Sequence, residues 1–149
     1  MGKYAYKMGV NFQNFAFLCP GQASQKIGMC KDLYEKDSFA RSNIDKASDI
    51  LDCDIKSIMF NGPDEVLKQT IYTQPAMFIS SYIIGSLLMS NGLKPSCAAG
   101  HSLGEFSAFA LAGAFNFEEG LKLVRVRSEA MHDAGLKNPG TMAAVIGLE

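Results

Sequence analysis

The sequence is short of the features that mark several classes of protein. Basic and acidic side chains number 14 and 15, which gives a formal net charge of −1, so the composition provides no basic surface for nucleic acid or for an anionic membrane. No Cys-x-x-Cys pair occurs, and no histidine lies at ligand spacing from Cys19, Cys30, Cys53 or Cys97. We therefore expect neither a zinc site nor a redox dithiol, and any anionic ligand must be bound by local charge.

Segments that direct a chain into or across a membrane are also missing. Residues 1–13, interpreted here as an N-terminal extension, lack the apolar run of a secretory signal. The most apolar stretch, residues 76–90, is interrupted by serines and a glycine and is shorter than a bilayer span. These absences predict a cytoplasmic protein in which residues 76–90 form a buried core helix.

What remains is the composition of one globular domain. The chain has 149 residues, of which 48% are hydrophobic and 19% are charged, a mixture typical of a soluble domain with a single core. We assign residues 14–149 to that folded unit, since the sequence contains neither an internal repeat nor an obvious interdomain linker.

Three short apolar segments predict strands. The first, residues 14–21, ends at a Pro-Gly pair, where proline cannot donate to a sheet ladder. The second covers residues 96–100, and the third, residues 141–148, follows an Asn-Pro-Gly turn. Because helical segments separate these strands, we predict an α/β fold with a mostly parallel sheet flanked by helices.

Helical patterns fill the first interval between these strands. Apolar residues recur at spacings of four, three and four from Ala40 to Leu51, which predicts an amphipathic helix from residue 38 onward. Residues 61–70 predict a turn and a short helix. The next helix is predicted to have Pro75 near its first turn and to end at Asn91-Gly92.

The last predicted helix carries an arginine among apolar residues. Asn116 and Glu119 form a capping-box pattern, which predicts a helix from residue 117 to about residue 135. A helical projection predicts a polar face of Glu118, Lys122, Arg125, Glu129 and His132 and an apolar face of Leu123, Val124, Ala130, Met131 and Ala134. Arg127 falls within the apolar face, where a buried guanidinium needs a partner. That partner is either a structural carboxylate elsewhere in the chain or the carboxylate of a ligand.

Gly100, Ser102 and Gly104 fit a nucleophile elbow between the second strand and the next helix. In such an elbow the serine occupies a strained turn, and its neighbours must be small because strand and helix crowd against them. The helix N-terminus also leaves the backbone N–H of Leu103 free to stabilise an oxyanion. The loop after the first strand reaches the same sheet edge, where Gln22 offers a second backbone N–H. Taken alone, these patterns also fit a glycine-rich turn and an ordinary loop.

Four stretches stand out when they are taken together. They are CPGQASQ from residue 19, TQPAMF from residue 73, GHSLGEFSAF from residue 100 and LVRVRSEAM from residue 123. In this order and spacing they resemble the malonyl-CoA:acyl carrier protein transacylases, which load fatty acid synthases. The resemblance runs from residue 14 to residue 149 and implies the acyltransferase or hydrolase-like large subdomain. Two small departures are Cys19, where the family usually has phenylalanine, and Ala23, where it has glycine.

The resemblance implies roles for several residues. Ser102 would be the acylated nucleophile in a ping-pong transfer of malonyl from coenzyme A to the phosphopantetheine thiol of acyl carrier protein. The backbone N–H groups of Gln22 and Leu103 would bind the oxyanion, and Arg127 would pair with the malonyl carboxylate. Gln74 would line the site, and His101, beside the serine, is assigned with Arg127 and Gln74 to substrate binding. No metal or tightly bound cofactor is implied.

A serine nucleophile needs a base, and the sequence contains two histidines. His101 belongs to the family signature, but as the immediate neighbour of the serine at a tight turn it points elsewhere. His132 is predicted on the solvated helix face. In the resembled family the catalytic histidine lies in the second half of a longer chain. We therefore expect an incomplete N-terminal portion of a transacylase, without the small subdomain and the C-terminal half, which needs that half in cis or in trans.

Two other functions remain open from the sequence. The chain would be a non-catalytic module if it binds coenzyme A thioesters or carrier protein without turnover. It would be a serine esterase if it shares the elbow but is indifferent to Arg127. These alternatives differ from malonyl transfer in whether Ser102 is acylated and in whether a carboxylated acyl group is preferred.

Overall fold

A two-stranded parallel sheet and seven helices make up the part of the chain that the structure describes. This computed structural model describes residues 15–140, 145 and 147. Strand β1 (Ala16–Cys19) pairs in parallel with strand β2 (Cys97–Gly100). The helices are α1 (Lys31–Lys36), α2 (Ser38–Leu51), α3 (Ile55–Asn61), α4 (Asp64–Leu67), α5 (Thr70–Ser90), α6 (Gly104–Leu111) and α7 (Phe117–Lys137). The predicted α/β fold with a parallel sheet and flanking helices is confirmed.

The first two predicted strands are present, and each is shorter than predicted. Cys19, the last residue of β1, lies opposite Gly100, the last residue of β2. Because both strands end at one edge of the sheet, the loops that follow them lie side by side. The N-terminal extension and the strand predicted over residues 141–148 fall outside the described residues, apart from the isolated positions 145 and 147.

Helix α2 confirms the predicted amphipathic helix. Asp37 caps it by accepting a hydrogen bond from the Ala40 N–H at 2.9 Å. Its buried residues are Ala40, Ile44 and Ala47. Helix α3 was not among the predicted elements, although Asp54 caps it in the same way, accepting from the Ser57 N–H at 3.0 Å. A short acidic residue before an apolar run was therefore the local signal for both helices.

Helix α5 is the central helix. It begins at Thr70, so Pro75, which is predicted near the first turn, is its sixth residue and lies in the second turn. A proline inside a helix removes the hydrogen bond that its own nitrogen would donate, but residues 73–80 are all buried, so packing holds the helix together across this position. Residues 76–90 are helical as predicted and form part of α5. Burial is continuous only over residues 76–80, whereas Ile84 and Leu88 are 45% and 38% exposed. Within the described residues, no helix has the length and apolarity needed to cross a bilayer.

Helix α7 begins as predicted but presents a different face to the core. The capping box is present, with Asn116 Oδ1 accepting from the Glu119 N–H at 3.0 Å and Glu119 Oε2 accepting from the Asn116 N–H at 2.9 Å. The predicted apolar face is wrong, because of its members only Val124 is buried, whereas Leu123, Ala130, Met131 and Ala134 are exposed. The buried residues of α7 are Phe117, Gly120, Leu121, Val124 and Ser128. Arg127 is consequently half-buried rather than buried.

Gly120 explains which face of α7 packs inward. A Cβ at this position would lie 2.5 Å from Phe78 Cζ and 2.7 Å from Phe115 Cε2. Only a residue without a side chain allows the α7 backbone to approach these rings so closely. The side of α7 that contains Gly120 therefore faces α5. Arg127 lies about two turns further along nearly the same side of the helix, where it contacts Gln74 of α5 and Ser102 in the turn after β2.

We expect Gly120→Ala to destabilise the chain, since the added methyl group overlaps two aromatic rings in a packed core. Overpacking of this kind costs about 1–3 kcal/mol of unfolding free energy. Gly135→Ala is the matched control on the same helix, because a Cβ there meets no atom within 4 Å and alanine is the better helix former by up to about 1 kcal/mol. Urea unfolding followed by circular dichroism should lower the midpoint for Gly120→Ala alone. Equal midpoints for the two variants would contradict this account of the α5–α7 contact.

Candidate active site

Ser102 occupies a strained turn between β2 and α6. Its φ angle is +54°, in the left-handed region that residues with a side chain rarely adopt. The turn is tied to β1 because the His101 N–H donates to the Cys19 carbonyl at 3.0 Å. Ser102 is exposed at the sheet edge. This backbone conformation is the one that the predicted nucleophile elbow requires.

The two glycines of the elbow stand where no side chain fits. A Cβ on Gly100 would lie 2.0 Å from the Gly104 carbonyl carbon, and a Cβ on Gly104 would lie 2.1 Å from the Cys19 carbonyl oxygen. Both distances are far inside van der Waals contact with backbone atoms, which cannot move away as a side chain can. The crowding predicted from the sequence is confirmed.

Arg127 bridges the elbow and α5. Its Nη2 donates to Ser102 Oγ at 3.0 Å, and its Nη1 donates to Gln74 Oε1. The Phe106 ring lies under the guanidinium, with 5.9 Å between Cζ and the ring centroid. No carboxylate of the described residues comes within 4.0 Å of its nitrogens. The structural ion pair considered from the sequence is therefore absent from this part of the chain, and the remaining guanidinium N–H groups are available to an anion.

Gln74 is fully buried and connects Arg127 to a residue that the sequence analysis did not place in the site. Its Nε2 donates to Met131 Sδ at 3.2 Å. Met131 lies one turn after Arg127 on α7, so a spacing of four residues was the signal that could have found it. Phe106, on α6, lies four residues after the elbow serine, so the same spacing could have identified it. The structure thus brings together Ser102, Arg127 and Gln74 as predicted and adds Met131 and Phe106.

The loop after β1 packs against the elbow. A Cβ on Gly21 would lie 2.6 Å from the His101 carbonyl oxygen, so the two turns are in close contact. The side chain of Gln22 is held by Thr70, with Nε2 donating to Oγ1 at 3.1 Å. Ala23, which replaces the family glycine, has a φ angle of +78°, and its N–H is bound by Gln25 Oε1 at 2.9 Å. The loop thus has the left-handed conformation that glycine favours.

Two backbone N–H groups at this sheet edge are available to bind an anion. The residues carrying them are Gln22, in the loop after β1, and Leu103, directly after the elbow serine. Neither N–H has a hydrogen-bond acceptor among the described residues. Leu103 itself is 1% exposed, so its side chain anchors the elbow while its N–H stays at the start of α6. These are the groups expected of an oxyanion hole.

No base contacts the serine within the described part of the chain. Neither His101 nor His132 donates to or accepts from Ser102 Oγ, whose partner there is Arg127. Over the same residues, no group of three or more His, Cys, Asp or Glu side chains is placed to hold a metal ion. The functional groups available for catalysis or binding in this region are therefore a hydroxyl, a guanidinium and backbone N–H donors.

Cys19 lies beside the elbow without competing with the serine. Its side chain is buried, and burial raises the pKa of its thiol. A raised pKa keeps the thiol protonated at neutral pH, and a protonated thiol is a poor nucleophile. Cys97, at the start of β2, is exposed and unpaired, which makes it the thiol to control for in labelling experiments.

The cavities show that the elbow stands at an open edge. One of them, about 680 Å³, lies between β1, residues 24–30 and α5 and does not include Ser102 among its lining residues. A second hollow of about 460 Å³ lies at the ends of the strands and is lined by Leu18, Cys19, Pro20, Ala99, Gly100 and His101. Leu18 is 80% exposed, so one face of the sheet carries an uncovered apolar side chain.

Comparison with protein families gives one match that covers most of the chain. The family model described as an acyl transferase domain matches residues 16–148. Among curated proteins, the malonyl CoA-acyl carrier protein transacylase of Bacillus subtilis strain 168 is 41% identical over 134 residues, which are 90% of this chain and 42% of the relative. The chain therefore spans about two fifths of the length of the curated relatives it matches.

Solved structures are similar over the same region. The crystal structure of malonyl-CoA:acyl carrier protein transacylase from Helicobacter pylori is 46% identical with a TM-score of 0.76, and the match covers 81% of this chain and 40% of that one. A type II PKS acyl-carrier protein in complex with its malonyl-transacylase gives 38% identity and a TM-score of 0.77 over 82% of this chain and 40% of the other. Over the four fifths of the chain that these matches cover, the fold is thus that of a portion of these enzymes.

Proposed function

This chain belongs to the acyl transferase domain family, and from that premise we propose that it takes part in transferring a malonyl group from coenzyme A to acyl carrier protein. The intermediate is a malonyl ester of Ser102, and the pathway served is fatty acid synthesis. Relatives at about 40% identity carry this activity in their names, which supports the proposal. No metal or bound cofactor takes part in it.

One observation carries the choice of acyl group. Arg127 holds its guanidinium against Ser102 Oγ at 3.0 Å and has no carboxylate partner among the described residues. A planar fork of donors suits a carboxylate. Malonyl-CoA brings both groups that this arrangement lacks, a thioester carbonyl for the serine and a free carboxylate for the arginine.

The transfer proceeds in two balanced steps. Ser102 Oγ attacks the thioester carbonyl, the bond between carbonyl carbon and sulfur breaks, and coenzyme A leaves as a thiol that receives the serine proton through a base. The phosphopantetheine thiol of the carrier protein then attacks the carbonyl carbon of the malonyl ester, the bond between that carbon and Ser102 Oγ breaks, and Ser102 Oγ receives the proton of the attacking thiol through the base. In both steps the developing oxyanion accepts hydrogen bonds from the backbone N–H groups of Gln22 and Leu103.

The proposal also covers the catalytic base, the second substrate and the cellular compartment. Because no histidine contacts Ser102 in the described residues, we place the base in the further portion of an acyltransferase, supplied in cis or in trans. The solved complex of a malonyl-transacylase with its acyl-carrier protein supports carrier protein as the second substrate. All four cysteines are unpaired, as is typical of a reducing compartment, so the proposal includes the cytoplasm as the place of action.

A non-catalytic binding module is the second candidate, and the missing contact between a histidine and Ser102 favours it. A serine esterase is a third, and the elbow alone supports it. The test is intact-protein mass spectrometry after incubation with malonyl-CoA or acetyl-CoA, followed by peptide mapping, with hydrolysis of a simple ester measured in parallel. Each incubation is repeated with the remaining portion of the Bacillus subtilis relative added.

Malonyl transfer predicts a malonyl adduct on the peptide containing Ser102, a weaker acetyl adduct and faster labelling when the added portion is present. Binding of malonyl-CoA without any adduct, even with a demonstrably assembled second portion, would favour the binding module. Ester hydrolysis without preference for a carboxylated acyl group would favour the esterase.

A further inference from the structure

Gln74 of α5 is a fully buried residue that is hydrogen-bonded to Arg127, and its amide has two different neighbours. Its Oε1 accepts from Arg127 Nη1, and its Nε2 donates to Met131 Sδ at 3.2 Å. The residue is 0% exposed, so water cannot substitute for either partner. The orientation of this amide therefore depends on the two side chains of α7.

The chemistry of the two neighbours allows one orientation. A guanidinium carries donors and no acceptor, so the Gln74 oxygen must face Arg127 and the NH₂ group must face Met131. A thioether sulfur is a weak acceptor and carries no donor. Met131 thus favours the orientation in which Gln74 accepts from the arginine, because the opposite orientation would place the amide oxygen against an acceptor.

The fixed amide in turn holds the arginine. Arg127 is anchored at Nη1 by Gln74 and reaches Ser102 Oγ with Nη2. A guanidinium held at one end has fewer rotamers to lose when it binds a carboxylate, and such preorganisation increases affinity. Met131 itself is 39% exposed, so its side chain lies partly at the surface beside this group.

We infer that Met131 is a positioning residue for recognition of the acyl carboxylate: through Gln74 its sulfur orients the guanidinium of Arg127 beside Ser102. The inference rests on the proposed function. It assigns to Met131 no contact with the substrate, so its effect should appear as a loss of preference for carboxylated acyl groups rather than as a loss of acylation in general.

The experiment uses two substitutions at Met131 and a control on the same helix. Met131→Leu removes the acceptor and conserves the apolar volume, a swap that cores tolerate well. Met131→Gln restores an acceptor oxygen at a similar distance from the backbone. Leu123→Gln is the control, since Leu123 is 47% exposed on α7 and makes no hydrogen bond to Gln74 in the described chain. Circular dichroism checks that each variant is folded.

Two measurements are made on each variant. The first is the ratio of initial rates of malonyl to acetyl adduct formation, which should fall about three- to tenfold in Met131→Leu, as expected for one weak hydrogen bond. It should recover in Met131→Gln and stay unchanged in Leu123→Gln. The second is the side-chain amide resonance of Gln74 in nitrogen-15 NMR spectra, with malonate titrated as a probe. The resonance should shift in Met131→Leu, and malonate should bind more weakly to that variant by a similar factor.

The outcomes separate this inference from the proposed function. An unshifted Gln74 resonance in Met131→Leu, or a malonyl-to-acetyl ratio equal to that of the original chain, overturns the role of Met131. A loss of both adducts in equal proportion also overturns it, since that result describes a structural residue. If the original chain forms no adduct even with the second portion assembled, and binds no malonate, the proposed function fails, and the amide resonance alone then decides whether Met131 orients Gln74.

Discussion

Ser102→Ala should abolish the malonyl adduct and leave the fold intact. The hydroxyl is the group that forms the ester, and loss of an activated nucleophile lowers acyl transfer by a factor on the order of 10⁴ or more. The backbone at this position has a φ angle of +54°, and alanine is strained there to the same extent as serine. We therefore expect an unchanged unfolding midpoint together with no labelled peptide in mass spectrometry.

Ser107→Ala is the matched control for this prediction. Ser107 lies on α6, one turn beyond the elbow, and its buried hydroxyl has no hydrogen-bond partner among the described residues. Removing an unpaired buried hydroxyl is neutral or slightly stabilising, so labelling should persist. A malonyl adduct that survives Ser102→Ala would contradict the assignment. Mapping would then show whether the exposed thiol of Cys97 had been acylated instead.

Arg127→Ala should reverse the preference between acyl groups. A charge-assisted pair with a carboxylate contributes about 1.5–3 kcal/mol, so the rate of malonyl labelling should fall about ten- to a hundredfold or slightly more. Acetyl labelling should change little, because the acetyl group has no carboxylate to lose a partner. Arg127→Lys should recover part of the malonyl rate, since lysine keeps the charge but lacks the planar fork. The measurement is the pair of initial rates by intact-protein mass spectrometry.

Arg125→Ala provides the control on the same helix. Arg125 has its own partners, with Nε donating to Glu129 Oε1 at 2.8 Å and Nη1 donating to the Ile50 carbonyl at 2.8 Å. This variant removes a positive charge two residues from Arg127 without touching Ser102, so the malonyl preference should be retained. Equal losses of malonyl and acetyl labelling in Arg127→Ala would argue that the arginine only supports the serine. Equal effects of the two arginines would argue for a general electrostatic contribution.

The position of the uncovered apolar side chains is consistent with the partial match to the relatives. Leu18 on β1 and Leu123 on α7 are 80% and 47% exposed, and parallel sheets are usually covered on both faces. Exposed apolar side chains favour association when they form a patch. Labelling should therefore be measured both with and without the further portion of a relative, because association of the chain alone would lower the labelling rate.

Local features of this protein follow from the sequence by itself. The elbow at residues 100–104, the capping box of α7 and the two described strands each depend on a few neighbouring residues. Each of these features depends on residues close together in the sequence: the spacing of glycines, the identity of a cap residue, or a proline that ends a strand. The local sequence pattern therefore predicts the local conformation directly. The resemblance of four motifs then brought Ser102, Arg127 and Gln74 into one expected site.

The tertiary structure decided which faces of those elements meet. The rotation of α7 depends on the contact of Gly120 with Phe78, and these residues lie far apart in the sequence. The continuation of α5 across Pro75 depends on burial by neighbouring helices. The link from Ser102 through Arg127 and Gln74 to Met131 joins two helices and a turn. Hydrophobic periodicity states how apolar residues repeat along a helix, but packing against other elements selects the stripe that is buried, because burial is a property of the assembled chain.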